Sequence, residues 1–144
     1  MKTASAAVLA LAVAGCAPSD SINADGDVFA AIGPDEAISV GGTEPFWAIA
    51  IKPDGQGGYS ARYSTPDSPE GETFALSRFA GNNGLGFNGE LGGQAVQIAI
   101  TPGDCSDGMS DTTYPFAATV GLGEATLFGC AHSDSNPVSG EANP

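Results

Sequence analysis

The run Cys105-Ser106-Asp107-Gly108-Met109-Ser110-Asp111 is the most chemically loaded stretch of this 144-residue chain. Asp104 precedes it and Tyr114-Pro115-Phe116 follows. Close carboxylates are hard oxygen ligands and can hold calcium. The spacing does not match an EF-hand loop, which needs fixed ligand positions around a central Gly. The residue types fit a turn better, with Asp oxygens accepting backbone N–H groups. No metal is assigned. His132 is the sole His and lies beyond the last apolar run, so a thiolate metal site lacks nitrogen partners. A Gly-x-Ser-x-Gly nucleophile elbow is absent. Residues 81–89 are glycine-rich but lack the Lys and the helix of a phosphate loop. The expectation is a protein that is not an enzyme and takes no cofactor.

A second cluster, Gly42-Thr43-Glu44-Pro45-Phe46-Trp47, opens an apolar run. Trp47 is the only Trp. An aromatic side chain buries about 150–250 Å², so Trp47 reads first as a core residue or barrel-end plug and second as a partner anchor. Glu44 reads as a loop carboxylate. Glu44, Trp47, Asp107, Asp111 and Tyr114 are the candidate surface for a ligand or partner.

The chain begins with a basic Lys2, an apolar run over residues 6–14, and Val13-Ala14-Gly15-Cys16. A basic start, a short apolar core and small residues at the cut make a secretory signal. A Cys directly after them resembles the lipobox of bacterial lipoproteins. The resemblance implies a peptide cut before Cys16, a diacylglycerol on its sulfur and a fatty acid such as palmitate on its amino group. The apolar run is too short to cross a bilayer, which takes about 20 residues. Each buried lipid methylene contributes ~0.8 kcal/mol, and two or three chains anchor stably where one does not. Ala17 stands where an inner-membrane retention Asp would stand. The expectation is a lipid-anchored envelope protein, at the outer membrane and facing the periplasm. Plain secretion is the alternative. In either compartment Cys105 and Cys130 form an even pair under oxidising conditions, so a disulfide is predicted; buried free thiols are the alternative.

Lys52, Arg62 and Arg78 are the only cations after Lys2, against 17 Asp and Glu. Binding nucleic acid requires clustered cations to displace counterions from phosphate. That partner is excluded, and anionic lipid headgroups fall with it. Such a charge favours solubility and steers cationic partners; simple solvation is the plainer reading.

The elements that must position these residues are strands. Twenty-one Gly and ten Pro interrupt the chain, and no window sustains a helical apolar period. Strands are predicted at 37–40, 46–51, 59–64, 73–79, 85–91, 95–101, 116–120 and 125–130. Turns are predicted at Pro53-Asp54-Gly55, Pro69-Glu70-Gly71, Gly81-Asn82-Asn83-Gly84, Gly92-Gly93 and Gly121-Leu122-Gly123. Short strands spaced by turns argue for an antiparallel meander. The fold class is all-β, a small antiparallel barrel of about eight strands or a sandwich, with one disulfide. The domain plan is a signal peptide at 1–15, a lipidated Cys and flexible tether at 16–36, a β domain at 37–132 and a disordered polar tail at 133–144. A monomer is expected.

The Gly42–Trp47 cluster, the Cys105–Asp111 run with Tyr114-Pro115-Phe116, and Gly129-Cys130-Ala131 together resemble a family of uncharacterised bacterial envelope lipoproteins. That family carries G-x-E-P-F-W, C-x-D-G-M-S-D…Y-P-[FY] and a closing G-C-[AC]. The likeness covers about residues 41–131 and implies an envelope location and no assigned activity. The layout is also similar to membrane-bound inhibitors of C-type lysozyme, although no inhibitory loop motif matches. The residues therefore point to a structural or accessory lipoprotein. A binding module for a cationic protein, or for a small apolar ligand, is the alternative.

Overall fold

A computed structural model describes residues 28–140. Cys16, the leader before it and residues 17–27 of the tether lie outside the described residues. Eight strands follow in chain order: β1 (Ile38–Thr43), β2 (Phe46–Pro53), β3 (Tyr59–Thr65), β4 (Ser68–Ala80), β5 (Leu85–Leu91), β6 (Gln94–Ser106), β7 (Thr113–Leu122) and β8 (Ala125–Ser133). Each pairs antiparallel with the next, and β8 returns to β1 from Ile38↔Ser133 to Gly41↔Cys130. The sheet is a closed barrel, not a sandwich.

Period-two alternation builds the wall. In β2, Trp47, Ile49 and Ile51 face inward while Phe46, Ala48 and Ala50 face out. In β6, Val96, Ile98 and Ile100 face inward. Ile49, Ile51, Val96, Ile98 and Ile100 are fully buried, with Phe87 and Val120. A barrel of eight strands has a lumen just wide enough for side chains to fill. A ligand inside it would have to displace them. Most outward positions are polar or small, as with Ser39, Arg62, Asn88, Gln97 and Thr119, and Phe46, Phe79 and Phe128 are the large apolar exceptions on the described strands. That is the reverse of a membrane-spanning barrel, whose apolar band faces out.

Seven of the eight strands run further than predicted, β4 and β6 by the most at one end, five residues each. The turn expected at Pro69-Glu70-Gly71 lies inside β4, and the chain reverses earlier, at Pro66-Asp67, where Thr65 pairs with Ser68. Pro fixes φ at the first central turn position, and Asp suits the second. Gly71, at φ +72°, sits instead at a bulge against Tyr63–Thr65. β6 continues past residue 101 through an irregularity between Pro102 and Cys105, with Gly103 at φ +150°.

Both ends of the predicted plan need correction. Residues 28–36, assigned to the tether, cap one end of the barrel. Ile32 is 0% exposed, and Phe29 packs edge-on against Phe116 at 6.0 Å. The Phe29 N–H donates to the Gly81 carbonyl (2.8 Å), Arg78 Nη2 to the Ile32 carbonyl (2.8 Å) and the Tyr59 hydroxyl to the Pro34 carbonyl (2.7 Å). Ile32 and Phe29 supply the apolar contacts and these three hydrogen bonds hold the backbone in place. Residues 133–139 of the expected disordered tail are likewise held. Ser133 ends β8 and is buried; its hydroxyl donates to Glu36 Oε1 (3.1 Å), as does the Ser135 N–H (2.7 Å). Asn136 Nδ2 donates to the Ala31 carbonyl (2.6 Å). Thr113 and Ser139 exchange backbone bonds of 2.8 and 2.9 Å. These ties are polar and long-range, so hydropathy does not reveal them.

Candidate functional site: a flap and cleft at the β1–β8 seam

The three sequence clusters converge on the seam between β1 and β8. Beyond Pro102 the β6–β7 hairpin bends off the wall as a flap and crosses the outer face of β8 toward β1. Cys105 on the flap is bonded to Cys130 on β8, with S–S 2.01 Å and Cα–Cα 5.6 Å; the predicted disulfide is present. Ala131 faces the core, so Cys130 faces out, yet it is only 4% exposed because the flap covers it. At the flap tip the Asp107 carbonyl accepts from Thr43 Oγ1 of β1 at 3.2 Å.

Trp47 closes the same seam from inside. Gly42 on β1 and Gly129 on β8 both face its indole. A Cβ on Gly129 would stand 3.0 Å from Trp47 Cζ2 and collide with the Gly41 carbonyl. A Cβ on Gly42 would collide with Trp47 Nε1 and stand 2.6 Å from the Phe128 carbonyl. The glycines of two separate motifs thus make room for one ring. Trp47 is a core residue, 4% exposed. Its reading as a core residue holds, and its place among the surface candidates is corrected to one edge bordering a cleft. Its Nε1 is buried and has no hydrogen-bond partner.

The acidic run is a turn. Asp107 Oδ1 accepts from the Met109 N–H (2.9 Å), the Ser110 N–H (3.1 Å) and Ser110 Oγ (3.2 Å). These bonds, the one from Met109 foremost, hold its carboxyl below the usual range. Asp104 and Asp111 are exposed and do not join it; among the described residues no three His, Cys, Asp or Glu gather to hold a metal. Tyr114 sits 6.0 Å from His132, ring to ring. Both border a narrow cleft of about 230 Å³ beneath the flap, with Asp107 and an edge of Trp47.

A wider cleft of about 710 Å³ opens beside it. Thr43, Glu44 and Phe46 form one wall, the flap residues from Ser106 to Met109 the other, and Phe128 borders both. Phe46 is 51%, Met109 67% and Phe128 72% exposed. Three large apolar side chains thus stand open to solvent around one cleft. Glu44 and Asp107 are its charged groups. Among the described residues the cations stand elsewhere: Lys52 and Arg62 flank another depression on β2 and β3, and Arg78 holds the N-terminal cap. Of the candidates, Glu44 and Asp107 share this cleft, Tyr114 lines the neighbouring one, Trp47 lies beneath, and Asp111 stands outside both. The sequence reading missed Phe46, Met109 and Phe128. Phase was the available signal, since Phe46 is out of step with inward Trp47 and Phe128 with inward Leu127.

No protein-family model, curated protein or solved structure matches this chain.

Proposed function

We propose that this protein is a bacterial envelope lipoprotein, tethered through Cys16 at the outer membrane and facing the periplasm, whose barrel is a binding module for a cationic protein. One observation carries the binding role: Phe46, Met109 and Phe128 stand exposed around Glu44 and Asp107 in one cleft. Apolar anchors supply affinity once water is excluded. Acidic groups on a chain of net charge −13 speed the approach of a basic partner. The leader supports the address, and so does the likeness to envelope lipoproteins.

The test uses C-type lysozyme as a defined cationic probe, with the full mature protein, in isothermal titration at about 0.05 M and about 0.5 M salt, where screening differs severalfold. Binding should weaken with salt and fall at least about tenfold in Phe128→Ala, the loss of one anchor. Equal binding by Phe128→Ala and Met109→Ala would reduce the interaction to charge adhesion. If neither lysozyme nor other basic proteins bind, the structural or accessory role is the better reading. Globomycin treatment of expressing cells should accumulate the uncut precursor; indifferent processing would refute the anchor.

A further inference from the structure

We propose that the Cys105–Cys130 disulfide is a redox latch: a dithiol reductant releases the flap from the outer face of β8 while the barrel stays closed, and so takes the cleft apart. The effect on binding rests on the function proposed above; the release of the flap does not.

The latch lies outside the structure it would need to spare. Barrel closure at β1–β8 is a backbone ladder from Ile38↔Ser133 to Gly41↔Cys130, with Val40 and Ala131 buried behind it. The disulfide adds nothing to the lumen. It joins the extension of β6 to the outward face of β8. The flap leaves the wall at a bulge whose Gly103, at φ +150°, holds a backbone conformation suited to glycine. That is a natural hinge.

The cleft depends on the flap. Its wall from Ser106 to Met109 is on the flap, and the opposing Thr43, Glu44 and Phe46 are on β1, β2 and the turn between them. Apart from the disulfide, the ties across are few. Thr43 Oγ1 donates to the Asp107 carbonyl, Tyr114 packs on His132, and Thr113 pairs with Ser139. A freed Cys105 thiol would keep one weak S–H donor toward the Gly129 carbonyl, 3.4 Å away.

The chemistry is ordinary exchange. A thiolate of the reductant attacks Sγ of Cys105, the less buried of the two residues, and the S–S bond breaks. Cys130 leaves as a thiolate and takes a proton. The second thiol of the reductant then displaces Cys105. The reductant ends as its own disulfide, and two electrons and two protons have passed to the protein.

Trp47 reports the event, because it is the sole Trp and borders the narrow cleft under the flap. The experiment compares the full mature protein with and without dithiothreitol. It follows Trp47 emission, amide exchange and circular dichroism, with lysozyme titration as a separate arm. Reduction should shift emission to the red. It should accelerate exchange at Cys105, Ser106 and Thr113 by about tenfold or more, with β2 and β5 amides still protected by a folded barrel and exchanging only as global unfolding allows, as local opening requires. Cys105→Ser/Cys130→Ser should behave as the reduced form and ignore the reductant. Unchanged flap exchange, or global unfolding on reduction, would overturn the latch. A flap released while neither lysozyme nor other basic proteins bind even the oxidised protein would keep the latch and sink the binding reading.

Discussion

Trp47 and Gly129 lie on strands far apart in the chain, yet a Cβ on Gly129 would sit 3.0 Å from Trp47 Cζ2 and drive into the Gly41 backbone. The ring and the missing side chain are one fitted unit. Gly129→Ala should therefore destabilise the barrel by about 2–3 kcal/mol through overpacking against backbone that cannot yield. Gly121→Ala, whose Cβ would meet nothing closer than 3.8 Å, should stay within about 0.5 kcal/mol. Urea unfolding of both variants checks the contrast; equal effects would refute the fitted seam.

The disulfide should matter to global stability as well as to the flap. It spans 25 residues of chain, and loop-closure entropy assigns such a link roughly 3.5 kcal/mol. Cys105→Ser/Cys130→Ser should melt cooperatively at a lower temperature. An unchanged melting temperature would show that the link does not constrain the unfolded chain.

Ile32 tests the barrel-end cap. It belongs to no strand, is 0% exposed and joins the core cluster. Ile32→Ala should cost about 2–4 kcal/mol, the range for a large core side chain cut to Ala. A cost near zero would mean that residues 28–36 lie on the barrel without sealing it.

Glu36 ties the N-terminal cap to the C-terminal segment. Hydrogen bonds from Ser135 first, then Gly33 and Ser133, lower its pKa from 4.5 to about 2. A carboxylate held below its unfolded value adds stability above that value and loses it as pH falls through the folded one. The contribution should be complete above pH 4.5 and vanish by about pH 2. Glu36→Gln should melt lower than the parent at neutral pH, with the two curves converging in acid. A gap that persists at pH 2 would assign the loss to something other than the carboxylate charge.

The eight strands were legible because alternation is local. Inward Trp47, Ile49 and Ile51 can be read without knowing what they face, since successive side chains must point to opposite sides of a strand. The disulfide was legible from cysteine count and compartment. Glu44 and Asp107 could be picked out as carboxylates in rare settings, but not as members of one cleft. The polar ends misled for a related reason: Ser133, Ser135 and Asn136 carry no apolar signal, and their partners Glu36 and Ala31 lie about a hundred residues back.

From sequence alone came the all-β class, the alternating faces of β2 and β6, the Cys105–Cys130 pair and the shortage of cations. Only the tertiary structure decided that the sheet closes β8 onto β1, that the β6–β7 hairpin folds back over that closure, and that Phe46, Met109 and Phe128 come to share a cleft with two carboxylates. Alternation sets which face a residue takes. Strand bending, bulges and closure set which residues meet, and these arise from the packing of the whole sheet.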